Sequence, residues 1–111
     1  MPFLSIYTSA NIKNKKDFVE KSSRLVSSLT KKSEKFVMVK LSNETQMYFD
    51  KKHSPSCYVE IKSIGALNPS EFSKVISDFC SHELNLKPER IYINFVNVNA
   101  EMWSWNGKTF G

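Results

Sequence analysis

Glycine is scarce in this chain. The 111 residues hold three glycines, Gly65, Gly107 and Gly111, and none falls in a spacing that could cradle a phosphate. That excludes a nucleotide-binding loop. Cysteine is scarcer: Cys57 and Cys80 are too few for a disulfide framework. His53 and His82 stand alone, without metal-ligand spacing, so no metal site is expected. No Gly-x-Ser-x-Gly elbow occurs, which argues against a serine hydrolase. No apolar run approaches the roughly 18 residues of a membrane span. The N-terminus has no basic segment followed by an apolar core. The expected location is cytoplasmic, with no membrane contact.

What is present describes one compact domain over residues 1–111. Hydrophobic residues make up 41% and charged residues 24%, a globular balance. The net charge of +5 invites a nucleic-acid reading. The lysines are scattered among Glu20, Glu34, Glu44, Glu60, Glu71 and Glu83, however. The one dense run, Lys13 to Lys16, suits a solvated loop before a helix. No nucleic-acid partner is expected.

The chain reads as two similar halves, about 2–55 and 56–111. Lys32-Ser33-Glu34-Lys35-Phe36-Val37-Met38-Val39 resembles Lys87-Pro88-Glu89-Arg90-Ile91-Tyr92-Ile93-Asn94, at an offset of 55 positions. Strands are predicted near Phe3–Thr8, Phe36–Ser42, Cys57–Gly65 and Arg90–Asn97. A helix is predicted near Lys15–Lys31, with Phe18, Ser22, Leu25, Val26 and Leu29 on one face. In the second helix Asn68 can cap, Pro69 suits the first turn and Glu71 completes a capping-box-like pattern. Phe72, Val75, Ile76, Phe79, Cys80 and Leu84 follow at helical spacing, which makes Cys80 a buried thiol. Each half is a right-handed βαβ unit. The fold class is α/β (α+β): a four-stranded sheet with two helices on one face.

Strand parity divides the sheet. Leu4, Ile6, Val37, Val39, Leu41, Val59, Ile61, Ile91, Ile93 and Phe95 form an aliphatic face for the helices. Ser5, Tyr7, Phe36, Met38, Lys40, Tyr58, Glu60, Lys62, Ile64, Tyr92, Asn94 and Val96 form a mixed face. Two helices cover only one side, so another copy of the chain is the simplest cover for the other. The tail from Trp103 to Gly111 is expected to form short strands that bridge to a neighbour.

The chemistry begins at the N-terminus. Pro2 is small enough to allow removal of Met1, which leaves a secondary amine on a rigid ring. A free α-amino group has a pKa of about 7.7–8.0. Burial or a nearby cation lowers it, giving a neutral base at physiological pH. Lys32 ends the first helix, where its charge also suits the helix dipole. Ser63-Ile64-Gly65 ends a strand. Tyr92 and Asn94 share a strand face, and an asparagine in mid-strand needs a local reason. Trp103, Trp105 and Phe110 supply aromatic surface. A terminal base, a lysine, backbone donors and an aromatic wall suit proton transfer beside a carbonyl.

These residues, in this order, resemble the macrophage migration inhibitory factor family of the tautomerase superfamily. Pro2 is similar to its N-terminal catalytic proline, and Ser63-Ile64-Gly65 to its Ser-Ile-Gly. Pro88-Glu89-Arg90-Ile91-Tyr92-Ile93-Asn94-Phe95 resembles its Pro-x-Arg-hydrophobic-Tyr-Ile-x-Phe/Tyr segment. Trp105-Asn106-Gly107-Lys108-Thr109-Phe110 resembles its Trp-Asn-Gly-x-Thr-Phe tail. The chain departs at three places. Thr30-Lys31-Lys32-Ser33 replaces Gly-Lys-Pro, so Lys31 competes with Lys32. Cys57 has no Cys-x-x-Cys partner. Asp50-Lys51-Lys52-His53-Ser54 replaces a glycine-rich loop.

The resemblance implies a homotrimer with a site at each subunit interface. Pro2, Lys32 and Ile64 would come from one subunit, Tyr92 and Asn94 from its neighbour, and Ser63 would join the substrate-binding residues. Phe36, Trp103, Trp105 and Phe110 would line the aromatic rim. It implies an isomerase, a cofactor-free keto–enol tautomerase of aryl pyruvates of the phenylpyruvate or dopachrome type. The substrate would be a small aromatic α-keto acid. The alternative is a cytokine-like homologue with a vestigial site, a receptor partner and non-classical secretion.

Overall fold

The computed structural model describes residues 1–111. Strand β1 (Pro2–Thr8) leads to helix α1 (Lys15–Thr30), then β2 (Met38–Ser42). Strand β3 (Cys57–Ser63), helix α2 (Pro69–Leu84) and β4 (Ile91–Asn97) repeat the pattern. Strands β5 (Ser104–Trp105) and β6 (Lys108–Thr109) end the chain. The main sheet has the order β2-β1-β3-β4. Within each half the two strands run parallel, and β1 and β3 join the halves antiparallel. This is the α+β arrangement that the two βαβ patterns predict.

Both helices start on an asparagine whose side chain accepts a backbone N–H: Asn14 from Asp17 and Asn68 from Glu71. Asn68 Nδ2 also donates to Glu71 Oε2 at 3.0 Å, a side-chain pairing in place of the capping box's bond to the cap's backbone N–H. Both helices end on a left-handed residue, Lys31 at φ 59° and Asn85 at φ 54°. In both, a serine hydroxyl near the end donates to a carbonyl beyond it: Ser27 to Lys32 and Ser81 to Leu86.

These equivalents lie 54 positions apart, whereas the first strands of the two halves lie 55 apart. The sequence match at 55 therefore slips by one residue after the helices. Val37 corresponds to Ile91, not to Tyr92. The reason is side-chain parity: a one-residue shift in a strand exchanges its two faces.

Leu4, Ile6, Val59, Ile61 and Ile91 are buried with Phe18, Val26, Phe72, Ile76, Cys80 and Leu84 of the helices. The Phe18 and Phe79 rings stack 5.8 Å apart and tie α1 to α2. Cys57 and Cys80 are free thiols in this core. A hydrogen bond between them, then burial, pushes the Cys80 thiol well above its ordinary range. The opposite sheet face stays open: Met38 is 66% and Tyr92 62% exposed.

The short strands of the tail pair with each other across Asn106 and Gly107, both at positive φ. That is the Asn-Gly hairpin turn. The Asp50–Ser54 segment also makes a tight turn, with Asp50 and Lys51 at φ 54° and 58°. Phe49 and Lys52 exchange both backbone hydrogen bonds around it. Arg90, buried, donates to the carbonyls of Phe49, Ser54 and Pro55. One guanidinium thus does what a glycine-rich sequence does not do here. No helix is long and apolar enough to cross a membrane.

Candidate active site

Pro2 is buried at the start of β1, in register with Ser63 of β3. Three neighbouring segments converge on this corner. The residues after α1 bring Lys32, the end of β3 brings Ile64, and the tail brings its aromatic rings. Lys32 Nζ donates to the Ile64 carbonyl at 2.8 Å. Lys31 caps α1 in the left-handed conformation and is exposed. The two lysines therefore part company where the helix ends.

The terminal amine, here that of Met1, lies beside Lys32. Its pKa falls from 8.0 to about 6. Desolvation is the largest cause, followed by the hydrogen bond with Lys32 and the repulsion of its charge. An amine so placed is largely neutral at pH 7 and can take up a proton.

A cavity of about 390 Å³ opens from this point. Met1, Pro2, Phe3, Phe36, Met38, Trp103, Trp105 and Phe110 line it, with Lys35 at its edge. The Phe36 and Trp105 rings meet edge to face, 5.7 Å apart and 89° inclined, a favourable quadrupolar arrangement. Within the tail, Phe110 N–H donates to the Trp103 carbonyl at 3.0 Å, which ties the two ends of the hairpin together. The structure thus gathers Pro2, Lys32, Ile64, Phe36, Trp103, Trp105 and Phe110 within one protomer.

Ser63, in register with Pro2, turns its side chain to the helix-covered sheet face that Leu4 and Ile61 also occupy. Its side chain is fully buried, and its hydroxyl has no hydrogen-bond partner. Its carbonyl accepts from Val98 N–H at 2.9 Å. Tyr92 and Asn94 lie apart from Pro2. Tyr92 is in register with Tyr58, and Tyr58 with Tyr7, five residues along β1 from Pro2. At about 3.3 Å per residue that is roughly 16 Å. There the Tyr92 ring packs 4.6 Å from Phe49. Asn94 Nδ2 donates to the Tyr58 hydroxyl at 3.1 Å, and that hydroxyl donates to Glu60 at 3.0 Å. This chain is the local reason for an asparagine in mid-strand.

Two residues of the corner escape a reading of the sequence. Asn97, the last residue of β4, accepts from Gly65 N–H at 2.9 Å and holds the turn after Ile64. Its signal was there: a second asparagine in a strand that already carried one. Lys35, one of many lysines, gives no sign of itself in the sequence.

The whole chain, residues 1–111, matches the family model described as macrophage migration inhibitory factor. A macrophage migration inhibitory factor homolog from Trichinella spiralis is 30% identical over 114 residues, covering 99% of this chain and 100% of that protein. The macrophage migration inhibitory factor of Mus musculus is 27% identical over 96 residues, covering 84% of each chain. The crystal structure of a homologue from Prochlorococcus marinus superposes with a TM-score of 0.92 at 35% identity, covering 98% of this chain and 99% of that one. With its fold, its N-terminal proline corner and its full-length match in agreement, this chain belongs to the macrophage migration inhibitory factor family of the tautomerase superfamily.

Proposed function

We propose that the chain is a homotrimeric keto–enol tautomerase of aryl pyruvates, acting through the Pro2 amine after removal of Met1. The observation that carries the reading is the terminal amine, held beside Lys32 with its pKa lowered to about 6, at the mouth of an aromatic cavity. Neutral Pro2 takes the proton from the carbon next to the ketone and delivers it to the oxygen, or the reverse. Lys32 holds the substrate carboxylate, and the Ile64 N–H donates to a substrate oxygen. The ring stacks among Phe36, Trp103, Trp105 and Phe110. No cofactor is required, because the ketone itself acidifies the adjacent carbon.

Tyr92 and Asn94 are exposed on the open sheet face, displaced along the strands from their own Pro2 by five and three residues, or roughly 16 and 10 Å. In a trimer with that face turned inward they reach a neighbour's cavity and position the far end of the ring. The competing reading is a partner-binding protein whose site no longer turns over. The test combines N-terminal mass spectrometry with a phenylpyruvate tautomerisation assay. Processed protein should be active and Pro2→Gly should lose at least about a hundredfold, the lower range for general-base catalysis. Processed protein without measurable turnover would favour the partner-binding reading.

A further inference from the structure

The side chains that line the cavity beside Pro2 carry charge of one sign only. No aspartate or glutamate lines it. Lys35 does, and it makes no salt bridge with any carboxylate of the chain. Its Nζ lies 5.5 Å from the centre of the Phe36 ring, close enough for a cation–π contact to hold the ammonium at the rim. Phe36 in turn meets Trp105. A ring stacked against these aromatics would place its perimeter, not its side chain, near Lys35. Lys32, by contrast, is tied to Ile64 beside the amine. The cavity thus has one cation in its own lining, Lys35, and a second, Lys32, outside the lining beside the terminal amine at the Pro2 end.

We infer that this cavity selects aryl acids bearing a second anionic group on the ring, and that Lys35 is the residue that sets the preference. The inference rests on the aryl-acid reading of the site and names its substrate class. The first carboxylate goes to Lys32, and the ring substituent, a carboxylate or another oxyanion, goes to Lys35. Lys35 is exposed, so salt screens the contact and the preference is modest.

Both tryptophans of the chain line the cavity, so their fluorescence reports its occupancy without turnover. Met1-processed protein is titrated with cinnamate and with 4-carboxycinnamate, planar aryl acids that cannot tautomerise. At low ionic strength 4-carboxycinnamate should bind at least about threefold more tightly, within what a partly exposed ion pair supplies. The ratio of the two Kd values should fall towards one in about 0.5 M salt. It should fall likewise in Lys35→Ala, persist in Lys35→Arg and invert in Lys35→Glu. Lys31→Ala removes the same net charge from an exposed helix end and should keep the ratio. Equal Kd values in the unmutated protein would overturn the inference and leave the aryl-acid reading standing. So would a ratio that collapses as much in Lys31→Ala as in Lys35→Ala. No quenching by either acid would overturn both readings.

Discussion

Lys32 Nζ and the Ile64 carbonyl meet at 2.8 Å across the two halves of the fold. The lysine follows the first helix and the carbonyl follows the third strand. Between them β1 carries the chain terminus to the same corner. The contact keeps a cation next to an amine whose pKa is lowered, and it does so with a neutral partner. A carboxylate in place of that carbonyl would neutralise the cation and let the amine pKa climb back.

This geometry separates two adjacent lysines. Lys31 occupies the left-handed cap and is exposed, whereas Lys32 is half-buried and anchored. Lys32→Ala should lower kcat/KM for phenylpyruvate at least about tenfold, or about 1.4 kcal/mol, within the range for a hydrogen bond to a charged group. Lys31→Ala should change it by less than about twofold, as a solvated charge does. Steady-state kinetics on Met1-processed protein checks the ranking, and the reverse order would move the cationic wall to Lys31.

The pH profile follows from the amine. A base is active when neutral, so kcat/KM should rise with pH through the amine pKa. The Met1 amine sits at about 6 rather than 8.0, and removal of Met1 leaves the terminus at Pro2, which is more deeply buried. The acid limb of processed protein should fall near pH 6 or below. In Lys32→Ala it should move upward, though not all the way to 8, because desolvation remains the larger cause. Protein that retains Met1 should be nearly inactive, since the Pro2 nitrogen is then an amide. The same shift bears on folding. The unfolded chain binds more protons between about pH 6 and 8, so stability should rise with pH across that window. Thermal melts at pH 6 and pH 8 measure the direction.

Much of this corner was legible in the sequence. Leu4, Ile6, Val59 and Ile61 alternate as a half-covered sheet demands, and the cap Asn68 obeys short-range rules, whereas the matching cap Asn14 emerges only in the structure. Pro2, Lys32 and the Trp103–Phe110 tail came from residue type and order. The repeat offset did not come out right, because similar letters at Lys32–Val39 and Lys87–Asn94 outweighed parity. Asn97 and Lys35 were missed for another reason. Their roles depend on what lies across the fold, Gly65 for one and Phe36 for the other. Asn94, three residues before Asn97 in the same strand, is the one local hint, and nothing near Lys35 announces its role.

Subunit sharing of the site can be tested by complementation. Pro2→Gly removes the base, and Tyr92→Ala with Asn94→Ala removes the pair on the open face. Each protein alone should be nearly inactive. Unfolded together and refolded, they should regain activity in about one quarter of sites, the random chance that an interface draws its two sides from the right subunits. The mixed protein should sediment at three times the monomer mass. A mixture with no recovery, or a stable monomer at micromolar concentration, would place the site within one chain.

Asn97 provides the last test. Its Oδ1 accepts from Gly65 N–H at 2.9 Å, and the next residue, Val98, donates its N–H to the Ser63 carbonyl at 2.9 Å. Ile64 is therefore held between two tethers, and through its carbonyl it holds Lys32. Gly65 stands at a φ of 68° in the turn that this bond fixes. In Asn97→Ala the Gly65 N–H turns to water, so stability should fall by only about 1 kcal/mol. The rate should suffer more. A displaced Ile64 carbonyl frees Lys32 from the amine, so kcat/KM should drop about tenfold, within what a small misplacement costs, and the acid limb should move upward. Asn97→Asp keeps an acceptor for Gly65 and should restore most of the rate. A purely structural asparagine would give a different result: a lower melting temperature, an unmoved acid limb, and no kinetic rescue by aspartate.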